Sequence, residues 1–317
     1  MKTYLAIDSG GTKVLAFLYD ENFRIINICR VGSLRDNTTP KDLIADNIER
    51  LVKGLGLDGI RTIDHITGTV DRILYNRIAE NCDIGGTTFC GELELGLSAA
   101  CLYGDALLAL SGTGATLFSR YRGTVDSAGG YGAAVSDAGS GYWIGRNAME
   151  AAAAYDEGRG EPTLLKDLIT EHFEKRNLRE SIFSIYSRRD RSPAASVASC
   201  APLVTTAAYL GDEIAHDIII KAGRVLAEQL LYLIRKHEIP ECIPVTVSGS
   251  VWRGHHDLFG EFSRVIYANG AERKIIIPEF EPIVGAIIHH YREINGSFEE
   301  KDLQFFRKEY AGFVFTV

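Results

Sequence analysis

The stretch LLALSGTGATLF at 107–118 is an apolar run that four small residues interrupt before it resumes. Glycines recur just after it, in AGGYG (128–132) and SDAGSGYWIG (136–145). Such density predicts dihedral angles or close backbone approaches that only glycine permits. Turns with converging amides bind anions, usually phosphate. The alternative is a hairpin followed by a flexible surface loop, although such a loop would not need Tyr142, Trp143 and Ile144.

The N-terminus repeats this pattern. Residues 3–7 alternate as a strand that ends at DSGGT (8–12), and 13–19 resume an apolar strand. The two hairpins, at 3–20 and 107–120, stand about a hundred residues apart, a spacing that suits two homologous lobes facing each other across a shared ligand. A third glycine turn, SGSV (248–251), also follows an apolar strand.

The remaining periodicity predicts an α/β protein of two lobes. The predicted helices lie at 43–52, 71–80, 93–102, 147–155 (starting near Tyr142), 162–173, 212–237, 282–293 and 299–310, and the small, apolar segment 192–209 also belongs to the helical part of the chain. Further strands lie at 23–29, 65–70, 243–247 and 274–277. We expect an N-terminal lobe at 1–105 and a C-terminal lobe at 106–317, with the last helix packing back on the first lobe.

Composition narrows the class of protein. The 317 residues carry a formal net charge of −8 and no basic cluster, which argues against a general nucleic-acid binder. The sequence predicts no signal peptide and no membrane span, so a cytoplasmic location is the default expectation. The six cysteines form no C-x-x-C pair. The pairs His255-His256 and His289-His290 should diverge on a helix, and we interpret them as surface or partly buried histidines rather than metal ligands.

Asp8 is the first candidate for chemistry. A carboxylate at a strand end beside two glycines can hold a hydrated Mg²⁺ on a nucleotide. The alternative is a turn residue that caps its own backbone. The sequence contains neither a Walker A motif nor a dinucleotide fingerprint.

Taken in order, these motifs resemble a known family. They are DSGGT (8–12), LSGTG (110–114), GGYG (129–132), Asp137 with Gly139-Ser140, YWIG (142–145), ASCAP (198–202) and SGSVW (248–252). Together they resemble the N-acetylglucosamine kinase branch of the sugar kinase, heat-shock and actin superfamily, which is grouped with the BadF-type ATPases. The resemblance spans residues 3 to about 292 and implies two lobes of ribonuclease H-like, actin/hexokinase-type fold around a nucleotide and sugar cleft.

The resemblance also implies an ATP-dependent kinase that phosphorylates N-acetylglucosamine or a relative such as N-acetylmuramic acid or glucosamine. Asp8 would contact Mg²⁺ through water. ATP would be bound by Gly10, Gly11, Thr12, Ser111, Gly112, Thr113, Gly114, Gly249 and Ser250, with Gly285 and Ala286 near the adenosine. The sugar would be bound by Asn37, Gly130, Tyr131 and Asp137. A carboxylate can accept two sugar hydroxyls, although Asp137 could instead be the N-cap of the following helix.

The main departure from the family concerns the catalytic base. The family has an aspartate at the start of the helix before the second phosphate turn, where this chain has Glu94, with Glu92 two residues earlier. Glutamate could still orient a hydroxyl, but its extra methylene would move the carboxylate, and a misplacement of about 1 Å can cost roughly a hundredfold in rate. Alternatively, Glu94 is only a helix-start acid. Tyr131 and Ala138 stand where tryptophan and an acidic residue are usual, which bears on the identity of the sugar.

Two other functions remain open at this stage. An activator ATPase of a dehydratase or reductase would need cysteines to bridge an iron–sulfur cluster, and only Cys200 lies in a comparable region. A non-catalytic sugar or nucleotide sensor would bind ligands without turnover. The resemblance further implies a homodimer, although no exposed apolar stripe in the sequence identifies an interface.

Overall fold

The computed structural model describes residues 2–36, 39–135, 137–187 and 192–317. The chain divides into two compact units. The first unit comprises Met1–Tyr103 and Ile277–Phe315, and the second comprises Gly104–Ile276 and Thr316–Val317. Within the described ranges, no single helix is long and apolar enough to cross a bilayer; residues 193–209 and Glu213–Lys236 pass that test only as a pair bent by 120°.

The elements are numbered in chain order over the described residues. The strands are β1 (Thr3–Ser9), β2 (Lys13–Asp20), β3 (Ile25–Gly32), β4 (Thr62–Ile63), β5 (His65–Thr69), β6 (Asp83–Ile84), β7 (Thr87–Phe89), β8 (Ala106–Ser111), β9 (Ala115–Tyr121), β10 (Thr124–Gly129), β11 (Val245–Ser248) and β12 (Ile275–Ile276). The helices are α1 (Lys41–Leu55), α2 (Arg72–Ala79), α3 (Glu92–Ala99), α4 (Gly141–Asp156), α5 (Leu165–His172), α6 (Leu178–Ser187), α7 (Pro193–Ala198), α8 (Ala201–Tyr209), α9 (Glu213–Lys236), α10 (His256–Ala268), α11 (Pro282–Asn295) and α12 (Glu300–Glu309).

The two units contain the same five-stranded sheet topology. The strand order is β3-β2-β1-β5-β7 in the first unit and β10-β9-β8-β11-β12 in the second. In each sheet the central strand pairs with an antiparallel hairpin partner on one side and with a parallel strand on the other. The sequence prediction that one hairpin pattern occurs twice is therefore confirmed. In each sheet, the candidate phosphate turn joins the central strand to its hairpin partner.

Both faces of the first sheet are covered, as alternation along β1 requires. Leu5 and Ile7 share one core with apolar residues of α1, whereas Tyr4 and Ala6 share the other with α11 and α12. The division of the chain therefore differs from the expected one. The whole segment Ile277–Phe315 belongs to the first unit, rather than the last helix alone, because α11 supplies much of the second core.

Sequence periodicity located the long elements and missed the short or polar ones. The predicted strands and helices are present with small shifts at their ends. Strands β4, β6 and β7 have two or three residues, too few to show a period. Strand β10 is an edge strand with no buried side chain, which gives no apolar alternation. Helix α10 was missed even though Leu258, Phe262 and Ile266 recur at helical spacing and are buried.

Candidate functional site

In the first unit, the β1–β2 turn places Asp8 at the end of a central strand. Asp8 lies in register with Thr69 of β5, and the Gly10 amide closes the hairpin by donating to the Lys13 carbonyl at 2.9 Å. The pKa of Asp8 is raised to about 6, chiefly because burial desolvates the carboxylate. Lys13 lowers this pKa, whereas the negative charges of Glu92 and Glu281 raise it. The surroundings of Asp8 thus favour proton or cation binding, and this carboxylate fits a Mg²⁺ site.

A pocket of about 270 Å³ lies beside this turn. It is lined by Ser9, Arg35, residues 68–71, Phe89 and Cys90, all in the first unit. The Ser9 amide donates to Thr69 Oγ1 at 2.6 Å, and the Ser9 hydroxyl donates to the Asp71 carboxylate. Sequence analysis did not identify Asp71. Its position directly after a predicted strand was the available signal, since polar residues at the carboxyl ends of parallel strands line ligand sites.

Glu94 and Glu92 both lie in the first turn of α3, and each has a partner. Glu94 Oε2 accepts a hydrogen bond from the Gly91 amide at 2.9 Å, and Glu92 pairs with Arg35 at 2.9 Å. Glu94 therefore does cap the start of α3, as one of the two alternatives requires. The contact occupies one carboxylate oxygen and does not consume the second.

In the second unit, the turn between β8 and β9 is tied to the start of α4. The Ser111 hydroxyl donates to the Gly139 carbonyl at 3.0 Å, and the Gly141 amide donates to the Gly112 carbonyl at 2.8 Å. The Tyr142 amide likewise donates to the Thr113 carbonyl at 3.1 Å. A flexible surface loop would not make these bonds. The alternative that 128–145 is such a loop is therefore wrong for residues 139–142.

Gly249 joins the same group of turns. Its φ is 101°, and a β-carbon at this position would lie 2.2 Å from the Ser111 carbonyl oxygen. Only glycine allows this approach. The Trp252 indole, which donates to the Ala109 carbonyl at 3.1 Å, anchors the turn that begins at Ser250. The structure thus brings together residues 111–114, 137–141 and 249–250, three sequence-predicted segments.

Asp137 is buried between the candidate phosphate turn and the glycine loop. The backbone amides of Ala115 and Gly132 donate to its carboxylate, and a β-carbon on Gly114 would lie 2.9 Å from Oδ2. Burial nevertheless raises its pKa. The N-cap alternative for Asp137 is wrong, because Ser140 caps α4 by accepting the Trp143 amide at 3.1 Å.

The other residues predicted to bind the sugar are less closely packed against these turns than Asp137 is. Gly130 has a φ of 72°, and its amide donates to the Ala115 carbonyl at 2.9 Å. Tyr131 is 75 % exposed. Asn37 lies outside the described residues.

Two residues that the resemblance singled out have structural surroundings of another kind. A β-carbon on Gly285 would lie 2.1 Å from the Leu95 carbonyl oxygen, so this glycine permits α11 to cross α3 closely. Its place beside the adenosine stays a prediction. Cys200 is fully buried, and burial raises the pKa of its thiol to about 12. A buried, protonated thiol is a poor metal ligand.

One protein-family model matches the sequence over most of its length. The model for the BadF/BadG/BcrA/BcrD ATPase family matches residues 5–289, most of the chain. The chain belongs to the BadF/BadG/BcrA/BcrD ATPase family.

Individual relatives agree with the family and the fold. The chain is 25 % identical over 301 residues to an N-acetylmuramic acid/N-acetylglucosamine kinase of Clostridium acetobutylicum, an alignment covering 91 % of this chain and 98 % of the relative. A Porphyromonas gingivalis structure assigned as an N-acetylglucosamine kinase aligns with a TM-score of 0.67 at 15 % identity, over 93 % and 100 % of the two chains. A ROK family glucokinase of Streptomyces griseus, solved with glucose and AMPPNP, aligns with a TM-score of 0.55 at 15 % identity, over 90 % and 97 %. The fold is therefore that of the hexokinase and actin-like ATPases.

Proposed function

We propose that this protein is an ATP-dependent kinase of an amino sugar, either N-acetylglucosamine or a relative such as N-acetylmuramic acid or glucosamine. The observation that carries the proposal is the packing of 111–114 against Gly249 and the start of α4. This packing leaves no space for a β-carbon at Gly114 or Gly249, and compact glycine turns of this kind suit phosphate binding. Membership of an ATPase family and the 25 % identity to an amino-sugar kinase support the choice of nucleotide and substrate class.

In this proposal the nucleotide is held by the two hairpin turns. Residues 10–12 and 111–114 contact the phosphates, and Gly249 and Ser250 border the adenosine. Asp8 holds Mg²⁺ through water, which suits a carboxylate whose ionised form is disfavoured without a cation. When bound, Mg²⁺ would neutralise negative charge on the phosphates.

The sugar is proposed to bind through Asp137 together with Asn37, Gly130 and Tyr131. Asp137 already accepts two backbone amides, and it retains lone pairs for a sugar hydroxyl. The free oxygen of Glu94 then orients the attacking hydroxyl and accepts its proton as phosphoryl transfer proceeds. The hydrogen bond from the Gly91 amide holds this glutamate in place.

A coupled assay of ADP release tests the proposal. Purified protein with ATP and Mg²⁺ is given N-acetylglucosamine, N-acetylmuramic acid, glucosamine, glucose or no sugar. We expect release to depend on an amino sugar, with little ADP formed when no sugar is present. Equal release with and without sugar would contradict the kinase. Saturable sugar binding without any turnover would instead indicate the sensor.

The activator-type ATPase receives no support from the cysteines. Cys200, the candidate cluster ligand, is buried with a protonated thiol. Anaerobic analysis of the purified protein should find no stoichiometric iron and sulfide. A bound cluster would overturn the kinase assignment.

A further inference from the structure

Three consecutive side chains at the start of α10 bring metal-ligating atoms close together. The ligand atoms of His255, His256 and Asp257 all lie within 4.8 Å of one another. His256 Nε2 is 3.1 Å from Asp257 Oδ1, and His255 Nδ1 is 3.8 Å from Asp257 Oδ2. This cluster lies in the second unit and includes none of the residues proposed to bind nucleotide or sugar.

The sequence expectation that these two histidines diverge is wrong, for a local reason. His255 is the N-cap of α10, with an extended backbone (φ −73°, ψ 132°), so helical geometry does not separate its side chain from that of His256. The two rings stack with centroids 4.6 Å apart at 20°. The His255 ring also stacks against the Tyr209 ring, with the two centroids 4.1 Å apart, and His255 is buried.

The ligating nitrogen of His255 is oriented by the backbone. Its Nδ1 accepts a hydrogen bond from the Asp257 amide at 3.2 Å. A nitrogen that accepts a hydrogen bond is unprotonated, which is the form that coordinates a metal. A bound ion would replace this long hydrogen bond.

A fourth residue fixes the carboxylate. His216, on α9, places Nε2 2.8 Å from Asp257 Oδ2. Hydrogen bonds of this kind orient ligating carboxylates in metal sites. Capping of α10 requires only one hydrogen-bond acceptor. A capping role therefore does not explain why three imidazoles surround the single carboxylate of Asp257.

We propose that His255, His256 and Asp257 bind a divalent transition-metal ion, with Zn²⁺ the best match, and that His216 positions the carboxylate. Zn–N and Zn–O distances of about 2.0–2.1 Å in a tetrahedron separate ligand atoms by about 3.3 Å. The separations of 3.1 and 3.8 Å from the two histidines to Asp257 bracket this value. Three protein ligands leave the fourth position for water. The positive end of the α10 dipole opposes a cation, so the negative charge of Asp257 is required.

The test uses the untagged full-length chain after metal removal. Zn²⁺ is titrated by calorimetry, and Co²⁺ by visible absorption, which reports tetrahedral coordination. We expect one saturable site in the wild type. His256→Ala and Asp257→Asn should each weaken Zn²⁺ binding at least about 10-fold, and His216→Gln about 10- to 100-fold. His172→Ala, which alters an exposed histidine elsewhere in the same unit, is the matched control and should bind as the wild type does.

Absence of a saturable site would overturn the proposal and leave a purely structural ring stack. The same holds if binding survives His256→Ala and Asp257→Asn unchanged. The His256 side chain is 71 % exposed, so His256→Ala should fold, and circular dichroism checks this. If Asp257→Asn fails to fold, His256→Ala decides the question by itself.

Discussion

The carboxylate of Glu94 accepts a hydrogen bond from the backbone amide of Gly91, with Oε2 2.9 Å from the nitrogen. This contact stabilises the start of α3 and also fixes the direction of the side chain. A glutamate held in this way loses much of the rotamer freedom that its extra methylene would otherwise give. The same contact therefore serves a capping role and a positioning role for the proposed base.

Replacing Glu94 by glutamine separates these two roles. Glutamine retains an oxygen that can accept the Gly91 amide, so the free energy of unfolding should change by less than about 1 kcal/mol. It cannot accept a proton, so sugar-dependent ADP release should fall by about 10²- to 10⁴-fold. The matched control is Glu92→Gln, which removes a partly exposed ion pair with Arg35 and should keep most of the activity. Equal losses in the two variants would argue against Glu94 as the base.

Asp8 should make Mg²⁺ binding depend on pH. Its pKa in the folded protein is about 6, above the ordinary 3.8, so protons compete with the cation below about pH 6. We expect Mg²⁺-dependent nucleotide affinity to rise as the pH increases from 5 to 7 and then to level off. Asp8→Asn should bind the nucleotide weakly in the presence of Mg²⁺ and should lack this dependence on pH. The variant also controls for titration of the nucleotide itself. The measurement is fluorescent-nucleotide binding across the pH range.

The same shift has a consequence for stability. The folded state binds the Asp8 proton more tightly than the unfolded chain does, so this group disfavours folding above about pH 6 and ceases to do so as the pH falls toward 4. Asp8→Asn should therefore raise the free energy of unfolding at pH 8 by on the order of 1–3 kcal/mol, with a smaller gain at pH 5. Denaturant unfolding at both pH values measures the difference; a pH-independent change would contradict it.

Gly249→Ala should disrupt the second unit. The new β-carbon would lie 2.2 Å from the Ser111 carbonyl oxygen, in a backbone conformation that disfavours alanine. We expect a loss of at least about 2 kcal/mol of unfolding free energy, together with weaker nucleotide binding. Gly260→Ala is the control, because it lies in open space on α10 and should stabilise that helix by up to about 1 kcal/mol. Thermal melts with and without nucleotide distinguish the two.

Asp137→Asn tests the proposed sugar contact. The amide keeps the size of the side chain and one acceptor for the Ala115 and Gly132 amides, but it loses the charge. If a sugar hydroxyl binds this carboxylate, kcat/KM for the sugar should fall about 10- to 100-fold while the KM for ATP stays unchanged. Asp126→Asn, on β10 of the same unit, removes a surface pairing with Lys236 and should leave both parameters unchanged. A lowered melting temperature with an unchanged sugar KM would assign Asp137 a structural role only.

Much of the fold follows from local pattern. The apolar strands on each side of DSGGT and SGTG determine two hairpins, and helical spacing of apolar residues locates α1, α9 and α11. The polar edge strand β10 and the two-residue strands β4 and β6 have no such pattern, because their pairing comes from neighbouring strands rather than from their own side chains. The role of Asp71 was not predicted for a related reason, because its contact with Ser9 joins residues 62 positions apart.

By itself, the sequence determined that two glycine-interrupted hairpins exist, that Asp8 and Ser111 lie at their turns, and that Glu94 opens the helix before the second one. These are short-range consequences of alternation, glycine and helix-start chemistry. The tertiary structure alone shows that Gly249 approaches Ser111, that Gly285 lies at a helix crossing, that Ser140 rather than Asp137 caps α4, and that His255 and His256 stack. The two glycine approaches depend on packing between segments distant in the chain. The cap and the stack depend on the backbone conformation at a helix start, which the sequence pattern leaves open.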